Sequence, residues 1–484
     1  MRGRVLPAVI ALSPAVVAAA FVLVGFVSNA VPVDQLWRPV LVAVGVALVV
    51  QMIAALALGL TRGSFWAFVA VCALSGLFVL AGASVLALTL FGFVASGSER
   101  QYRLGGMLTL AVSATLLAVL VFQVASRGAF GWSPIPVAAR DTGPLTSGPS
   151  IHLLMLDGYP RADLLVEIGF DNGPFLAAMA ERSFDHYPGS QSNYDRTPFS
   201  LLSLLTLRHF DEIDELDPYL GQGGVVDQER IAGRALLDVS LFDVLEDAGY
   251  RTRVVEAPVV HVPLGGADIV TSAGAATNFE LDTLQRTPLA GVLEVFGFAM
   301  GQGRAHVTGT LELFANPPES PSFTLAHVMA PHAPFSFRAD GSAAPAPPCY
   351  PATCAIFDGR VERLGWTADQ HWARLVEHLQ HLNALVLGAV DRIIAEDPEA
   401  VIVLFSDHGQ PVDGDQANMY RNLLLARTPG NPGLFGTAPT VVNVMPGLLN
   451  AYLGADLALL PDDLYRSDDD PWFEVEPYPP SSRP

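Results

Sequence analysis

Four places in this 484-residue chain gather side chains able to hold a cation and activate a hydroxyl. Asp157 follows the apolar run Ile151–Leu156, and Asp407 with His408 follows the run Val401–Phe405. His327 lies near the end of a third run, Ser322–Val328, and His332 lies just beyond it. Continuous apolar runs of this length read as strands buried on both faces of a mostly parallel sheet. Ligand-type residues at three strand ends would meet along one edge of that sheet, where chemistry collects in such folds. The fourth place is Ser192–Thr206, in which Thr197 precedes Pro198. Thr is a good N-cap and Pro suits the first helical position, so a helix is predicted to open with Thr197 as its cap. On the plain reading Thr197 only caps. On the sharper one its hydroxyl sits where free N–H groups and the helix dipole favour an anion. Beside a carboxylate-bound cation such a hydroxyl can lose its proton and attack phosphorus. With the other three places in view, nucleophile is the preferred reading.

Other polar residues carry two readings each. Arg161 could reach a phosphate or pair with Asp163. Asn193 could orient substrate or simply make a turn. His327 could face the site or be a satisfied strand-end histidine. His371, His378 and His381 share part of a helix, where surface or inter-helix contacts are expected over metal binding. Asp413 and Asp415 resemble part of a calcium loop whose remaining ligand positions are absent.

The elements that must position these groups alternate. Helical patterns at 175–182, 241–249 and 372–396 are interleaved with strands at 151–156, 251–255, 322–328 and 401–405. Such alternation implies an α/β domain with helices on both faces of a mostly parallel sheet, assigned to residues 151–465. Residues 127–150, rich in Gly, Pro and Ser, read as a linker, and 466–484 as an acidic Pro-rich tail.

The first 126 residues differ in kind. The whole chain is 51% hydrophobic and 15% charged, and the apolar excess lies at this end. Four apolar tracts, Val5–Val27, Val40–Leu60, Phe65–Val94 and Met107–Val124, each meet the length of about 20 residues needed to span a bilayer. Residues 1–126 thus read as a transmembrane anchor. No acid or base lies within the tracts, which argues against a transport pathway. Phe65–Val94 fits one tilted helix or a tight pair, giving four or five spans. Arg2 and Arg4 favour a cytoplasmic N-terminus, so five spans would put the α/β domain outside the cell membrane, the side expected here. The net charge of −21 belongs almost wholly to the second part and is a poor match for nucleic acid. Every strong base is Arg, which reads as composition. Cys349 and Cys354 stand close enough for a local disulfide, which would agree with an oxidising compartment.

Taken in order, Asp157-Gly158, Thr-x-x-Ser-Leu at 197–201, Pro-His-x-Pro-Phe at 331–335 and Ser-Asp-His-Gly at 406–409 resemble the sulfatase-like branch of the alkaline phosphatase superfamily. Within it, the likeness is to membrane-anchored lipoteichoic acid synthases and phosphoethanolamine transferases. The resemblance implies Thr197 as nucleophile and metal ligand, with Asp157, Asp407 and His408 completing the shell. It implies His332 as a group that holds substrate or leaving group. Two carboxylates, an imidazole and a hydroxyl suit one Zn²⁺ or Mn²⁺, with Mg²⁺ or Ca²⁺ less suited. The implied reaction moves a head group from a membrane lipid or lipid-linked donor, through a phosphothreonine, to an envelope acceptor or water.

Departures narrow this. Leu201 stands where sulfatases carry Arg, so formylglycine chemistry is not expected. Where the transferases place a histidine about a dozen residues beyond His408, this chain has Tyr420 and Arg421, which makes Arg421 a candidate phosphate ligand. The cysteines flanking the nucleophile in those transferases are missing. Two alternatives stand beside a phosphotransferase or phosphodiesterase: a silent envelope-binding relative, and a phosphate or phosphonate ester hydrolase.

Overall fold

The computed structural model describes residues 133–220, 228–259, 261–274, 276–285, 297–349, 364–467 and 474–478, with residues 36–58 and a few single positions elsewhere. The chain divides into two compact units, one of residues 1–133, 277–296 and 351–355, the other of the remainder.

In the first unit, α1 (Trp37–Leu58) is apolar along its length, and side chains such as Leu41, Ile53 and Leu56 are exposed. Its segment Trp37–Ala57 is long and apolar enough to cross a membrane, the one such helix among the described residues. It corresponds to the predicted tract Val40–Leu60. The tract Phe65–Val94, nearly all of Met107–Val124 and most of Val5–Val27 lie outside the described residues. Arg38 pairs with Glu280 at 2.8 Å, on a short helix Asn278–Gln285 of the same unit. A reciprocal cap opens that helix: Glu280 Oε2 accepts the Thr277 N–H (2.9 Å) and Thr277 Oγ1 accepts the Glu280 N–H (3.3 Å).

The second unit is the expected α/β sandwich. Its strands are β1 (Ile151–Leu156), β2 (Asp185–His186), β3 (Arg251–Glu256), β4 (Ile269–Ser272), β5 (Ser322–Val328), β6 (Val401–Phe405) and β7 (Leu424–Arg427). They lie side by side in the order β2-β7-β6-β1-β5-β3-β4. The run from β6 to β4 is parallel, while β7 is antiparallel to β6 and β2 to β7. All residues of β1, β5 and β6 are buried, as apolar strands covered on both faces must be. Alternation divides their side chains. Ile151, Leu153, Phe323, Leu325, Val401 and Val403 join a core closed by α2 (Thr197–Thr206), α3 (Leu241–Asp247) and α6 (Val444–Leu453).

The opposite face receives α4 (Phe298–Phe314), whose Phe314 ring meets His152 edge-on with centroids 6.3 Å apart. Three glycines weaken the helical signal of α4, but two of them are explained by packing. A Cβ at Gly309 would lie 2.8 Å from Ala273 Cβ, and one at Gly303 would lie 3.3 Å from Ser336 Oγ. Arg253 of β3 donates to the carbonyls of Leu313 (2.6 Å) and Asn316 (2.8 Å), satisfying the end of α4. The long α5 (Ala368–Glu396) begins a turn earlier than its apolar pattern predicts. The cause is a capping box, in which Thr367 Oγ1 accepts the Gln370 N–H and Gln370 Oε1 accepts the Thr367 N–H.

Two segments are more structured than their composition predicts. Residues from 134 onward, read as linker, lie on the α/β unit: Ile135 and Val137 are buried, and Arg140 and Thr146 donate to the Thr206 and Leu453 carbonyls. In the region read as a tail, β8 (Tyr465–Ser467) pairs with β9 (Val475–Pro477). Backbone hydrogen bonding and a few apolar anchors, which carry no sequence period, account for both.

His152 and His378 are fully buried and both are pushed down to about 3, chiefly by burial, with Arg253 and His381 respectively adding to the effect. Their ordinary value is 6.5, so as pH falls protons bind the unfolded chain first. Stability is at its full value above that ordinary value. Below it, stability declines by about 1.4 kcal/mol per pH unit for each imidazole until the folded-state value is reached. His378→Gln is expected to remove one such slope. Urea unfolding between about pH 7.5 and pH 5 measures it, and equal slopes in parent and variant would contradict a neutral buried His378.

Candidate metal centre

Parallel pairing places the two aspartates. Met155 of β1 is in register with Phe405 of β6, so two residues further on Asp157 and Asp407 leave the sheet side by side. Asp157, Asp407 and His408 each offer a ligand atom, and these atoms lie within 4.8 Å of one another.

Every other polar atom of the three side chains is held. Asp157 Oδ2 is 2.9 Å from Nε2 of the buried His327. Asp407 Oδ1 accepts the Gly158 N–H at 3.1 Å. His408 Nδ1 lies 2.8 Å from the Gly409 carbonyl, which fixes the proton there and leaves Nε2 facing inward. The remaining oxygens, Asp157 Oδ1 and Asp407 Oδ2, are buried with no hydrogen-bond partner. They stand 3.9 and 3.4 Å from His408 Nε2. Orphaned carboxylate oxygens converging with an imidazole lone pair are what a divalent cation resolves, so the donor set fits a metal. The fields agree. Burial would raise the Asp157 carboxyl, yet the His327 hydrogen bond and the neighbouring His332, His327 and His408 hold it well below the usual range. Burial would lower His408, but Asp407 and Asp157 raise it.

The loop after β6 is drawn tight around this group. Ser406 Oγ accepts the Tyr159 N–H (2.8 Å) and donates to the His408 carbonyl (2.6 Å), tying the β1 and β6 turns together. Gly158 takes φ +68°, a conformation that favours glycine. A Cβ on Gly409 would fall 2.4 Å from the Asn418 carbonyl oxygen and 2.5 Å from that of Arg421. Only glycine fits.

Thr197 is the first residue of α2 and Arg196 is the N-cap, without a side-chain cap bond, so the helix opens one residue earlier than predicted. The first turn of α2 is fastened to the centre by Ser200, whose Oγ donates to the Asp407 carbonyl at 2.8 Å. Asp195, missed in the sequence, also belongs here. Its carboxylate accepts from the Ser467 N–H (3.1 Å) and Oγ (2.7 Å). Burial pushes the Asp195 carboxyl up, against those bonds and the charges of Arg196 and His408. A carboxylate two residues before the threonine was visible; its neighbours were not.

His332 is among the groups whose charge acts on Asp157, and its Nδ1 is 2.7 Å from the Ala333 carbonyl. The other candidates are engaged elsewhere. Arg161 forms a two-pronged pair with Asp163 (both 2.9 Å) and donates to the Ser190 carbonyl. Arg421 pairs with Asp163 and Glu167, each at 3.1 Å, and with Asn418. Both arginines answer acids of the segment after β1, which the spacing of Arg421 from His408 could not reveal. Asn193 is a structural tie, donating to the Asp463 carbonyl and accepting the Val442 N–H. His371 and His378, expected at a surface or between helices, are buried against Phe335, the latter accepting the Phe337 N–H. Asp415 caps a short turn through Ala417. Cys349 is disulfide-bonded, while Cys354 lies outside the described residues.

No family model matches the chain, and no curated protein matches it. Among solved structures it is similar to the C-terminal periplasmic domain of EcEptC from Escherichia coli, at 14% identity over 72% of this chain and 97% of that one, TM-score 0.41. It is similar to the integral membrane lipooligosaccharide phosphoethanolamine transferase EptA from Neisseria meningitidis, at 14% identity over 92% and 95%, TM-score 0.38. It is also similar to the phosphonate monoester hydrolase of Agrobacterium radiobacter, at 14% identity over 66% and 80%, TM-score 0.40. Phosphoethanolamine transferases are among the proteins that the motif order resembles. At such scores the likeness assigns no residue a role.

Gly409→Ala is expected to cost about 3 kcal/mol by overpacking and to weaken binding of divalent cations, because the turn it expands carries His408. Gly388→Ala on α5, which meets nothing within 4 Å, should instead be neutral or stabilise by up to about 1 kcal/mol. Unfolding midpoints of the two variants measure the contrast.

Proposed function

We propose that the chain is a membrane-anchored, metal-dependent phosphotransferase or phosphodiesterase. On this reading it moves a phospho-head group from a lipid-linked donor by way of Thr197. One observation carries the reading: Asp157 Oδ1 and Asp407 Oδ2 are buried, unpartnered and turned toward His408 Nε2, beside the loop to which the first turn of a threonine-headed helix is fastened.

Asp157, Asp407, His408 and the Thr197 hydroxyl would hold the cation, and an imidazole in the set suits Zn²⁺ or Mn²⁺ better than Mg²⁺ or Ca²⁺. Such an ion lowers the pKa of a neighbouring hydroxyl and offsets charge on phosphoryl oxygens. The chain's own groups do the rest. Thr197 gives up its proton and attacks phosphorus; the bond from phosphorus to the donor oxygen breaks, and that oxygen leaves with a proton. His332 presents Nε2 toward substrate, since its Nδ1 is held by the Ala333 carbonyl. The α2 N-terminus adds free N–H groups for the phosphoryl anion. An acceptor hydroxyl or water then attacks the phosphothreonine and returns a proton to Thr197.

The lipid side of the proposal draws on α1, which is long enough to span a bilayer. An extracytoplasmic α/β domain agrees with the disulfide at Cys349.

The test is peptide mass mapping after incubating the full chain with a phospholipid extract and Mn²⁺ or Zn²⁺. A phospho-adduct on the peptide bearing Thr197 is expected. Thr197→Ala should abolish it and lower turnover by about 10³-fold or more. Steady turnover without an adduct, undiminished in Thr197→Ala, would overturn the assignment. Inertness of both proteins would favour an envelope-binding role.

A further inference from the structure

We infer that His327 sets which cation the centre prefers, by holding Asp157 to a single ligand oxygen. The inference rests on the metal-centre reading above and concerns a residue that reading leaves outside the ligand set. His327 is wholly buried at the end of β5, with Nε2 2.9 Å from Asp157 Oδ2. Its other ring nitrogen, Nδ1, is buried and has no hydrogen-bond partner. A core histidine kept for packing would be better served by an apolar side chain, since an unsatisfied buried nitrogen costs about 1–3 kcal/mol. Among the described residues, the one hydrogen bond the ring makes is with the ligand carboxylate.

The consequence is geometric. With one lone pair of Oδ2 engaged by His327, Asp157 turns Oδ1 toward His408, and binding one ion through both oxygens competes with that bond. Asp407 is restrained in the same sense by a backbone donor, the Gly158 N–H at 3.1 Å. Two one-oxygen carboxylates and an imidazole suit a small ion of low coordination number such as Zn²⁺. Ca²⁺ takes about 6–8 oxygens and often binds carboxylates through both. Of the two restraints only the His327 one is a side chain, so it is the one that substitution can lift. His327 is therefore a positioning residue, acting on the ion through Asp157.

Titration calorimetry of the full chain in detergent with Zn²⁺ alone and Ca²⁺ alone tests this. His327→Leu is expected to weaken Zn²⁺ binding by about 10–100-fold, and to leave Ca²⁺ binding unchanged or tighter, narrowing the preference between the ions. His327→Gln, whose amide N–H₂ reaches a similar point, should keep most of the parent's preference, while the shorter His327→Asn should lose it. Parent and variant preferences that coincide, in folded proteins, overturn the inference and leave the centre standing. A parent that binds neither ion overturns the centre itself. Should His327→Leu fail to fold, the Gln and Asn pair decides, and equal preferences in those two count against the inference.

Discussion

Two aspartates on adjacent parallel strands govern the rest of this structure. Register between β1 and β6 carries Asp157 and Asp407 off the sheet at the same rung. Both are buried, and each keeps one oxygen without a hydrogen bond. Like charges this close in a medium of low dielectric repel strongly, so the arrangement requires positive charge between them. A divalent cation held through His408 Nε2 and the two free carboxylate oxygens would supply it. The apolar, doubly covered strands beneath are the rigid support without which the carboxylates would swing apart to water.

Hydrogen bonds between side chains and backbone hold the surrounding shell in place. Gly158 donates to Asp407, Gly409 accepts from His408, Ser406 links the two turns, and Ser200 fastens α2 to the Asp407 carbonyl. Such bonds fix position without adding charge, which leaves the few ionised groups free to act on an ion and its substrate. They also explain where glycine is obligatory. At residue 409 the chain passes so near the Asn418 and Arg421 carbonyls that no Cβ fits.

The histidines divide by environment. His152, His306 and His378 are buried among apolar elements and are all pushed down to about 3, first of all by burial, so they serve as neutral rings. His408 faces two carboxylates and is raised. His327 is bonded to Asp157, and His332 is among the charges acting on it. One residue type thus fills structural and chemical roles according to which charges face it.

Sequence by itself determined the parts whose signals are local. Ile151–Leu156, Ser322–Val328 and Val401–Phe405 are strands with the predicted ends, because a continuous apolar run closed by polar residues needs no distant partner to be read. The order of ligand-type residues beyond those ends was legible for the same reason. Tertiary structure alone decided the edge strands β2 and β4 and the inner strand β7, which are short and lack a strong period, and the glycine-bearing α4, whose low propensity is overridden by packing. It alone decided that Asp195 is held by Ser467 across 272 positions of sequence, that Arg161 and Arg421 answer Asp163, and that His327 grips Asp157. Those are pairings between side chains, and a pairing depends on which strands lie side by side and in what register. A periodic pattern specifies a face, but not the neighbour that face will meet.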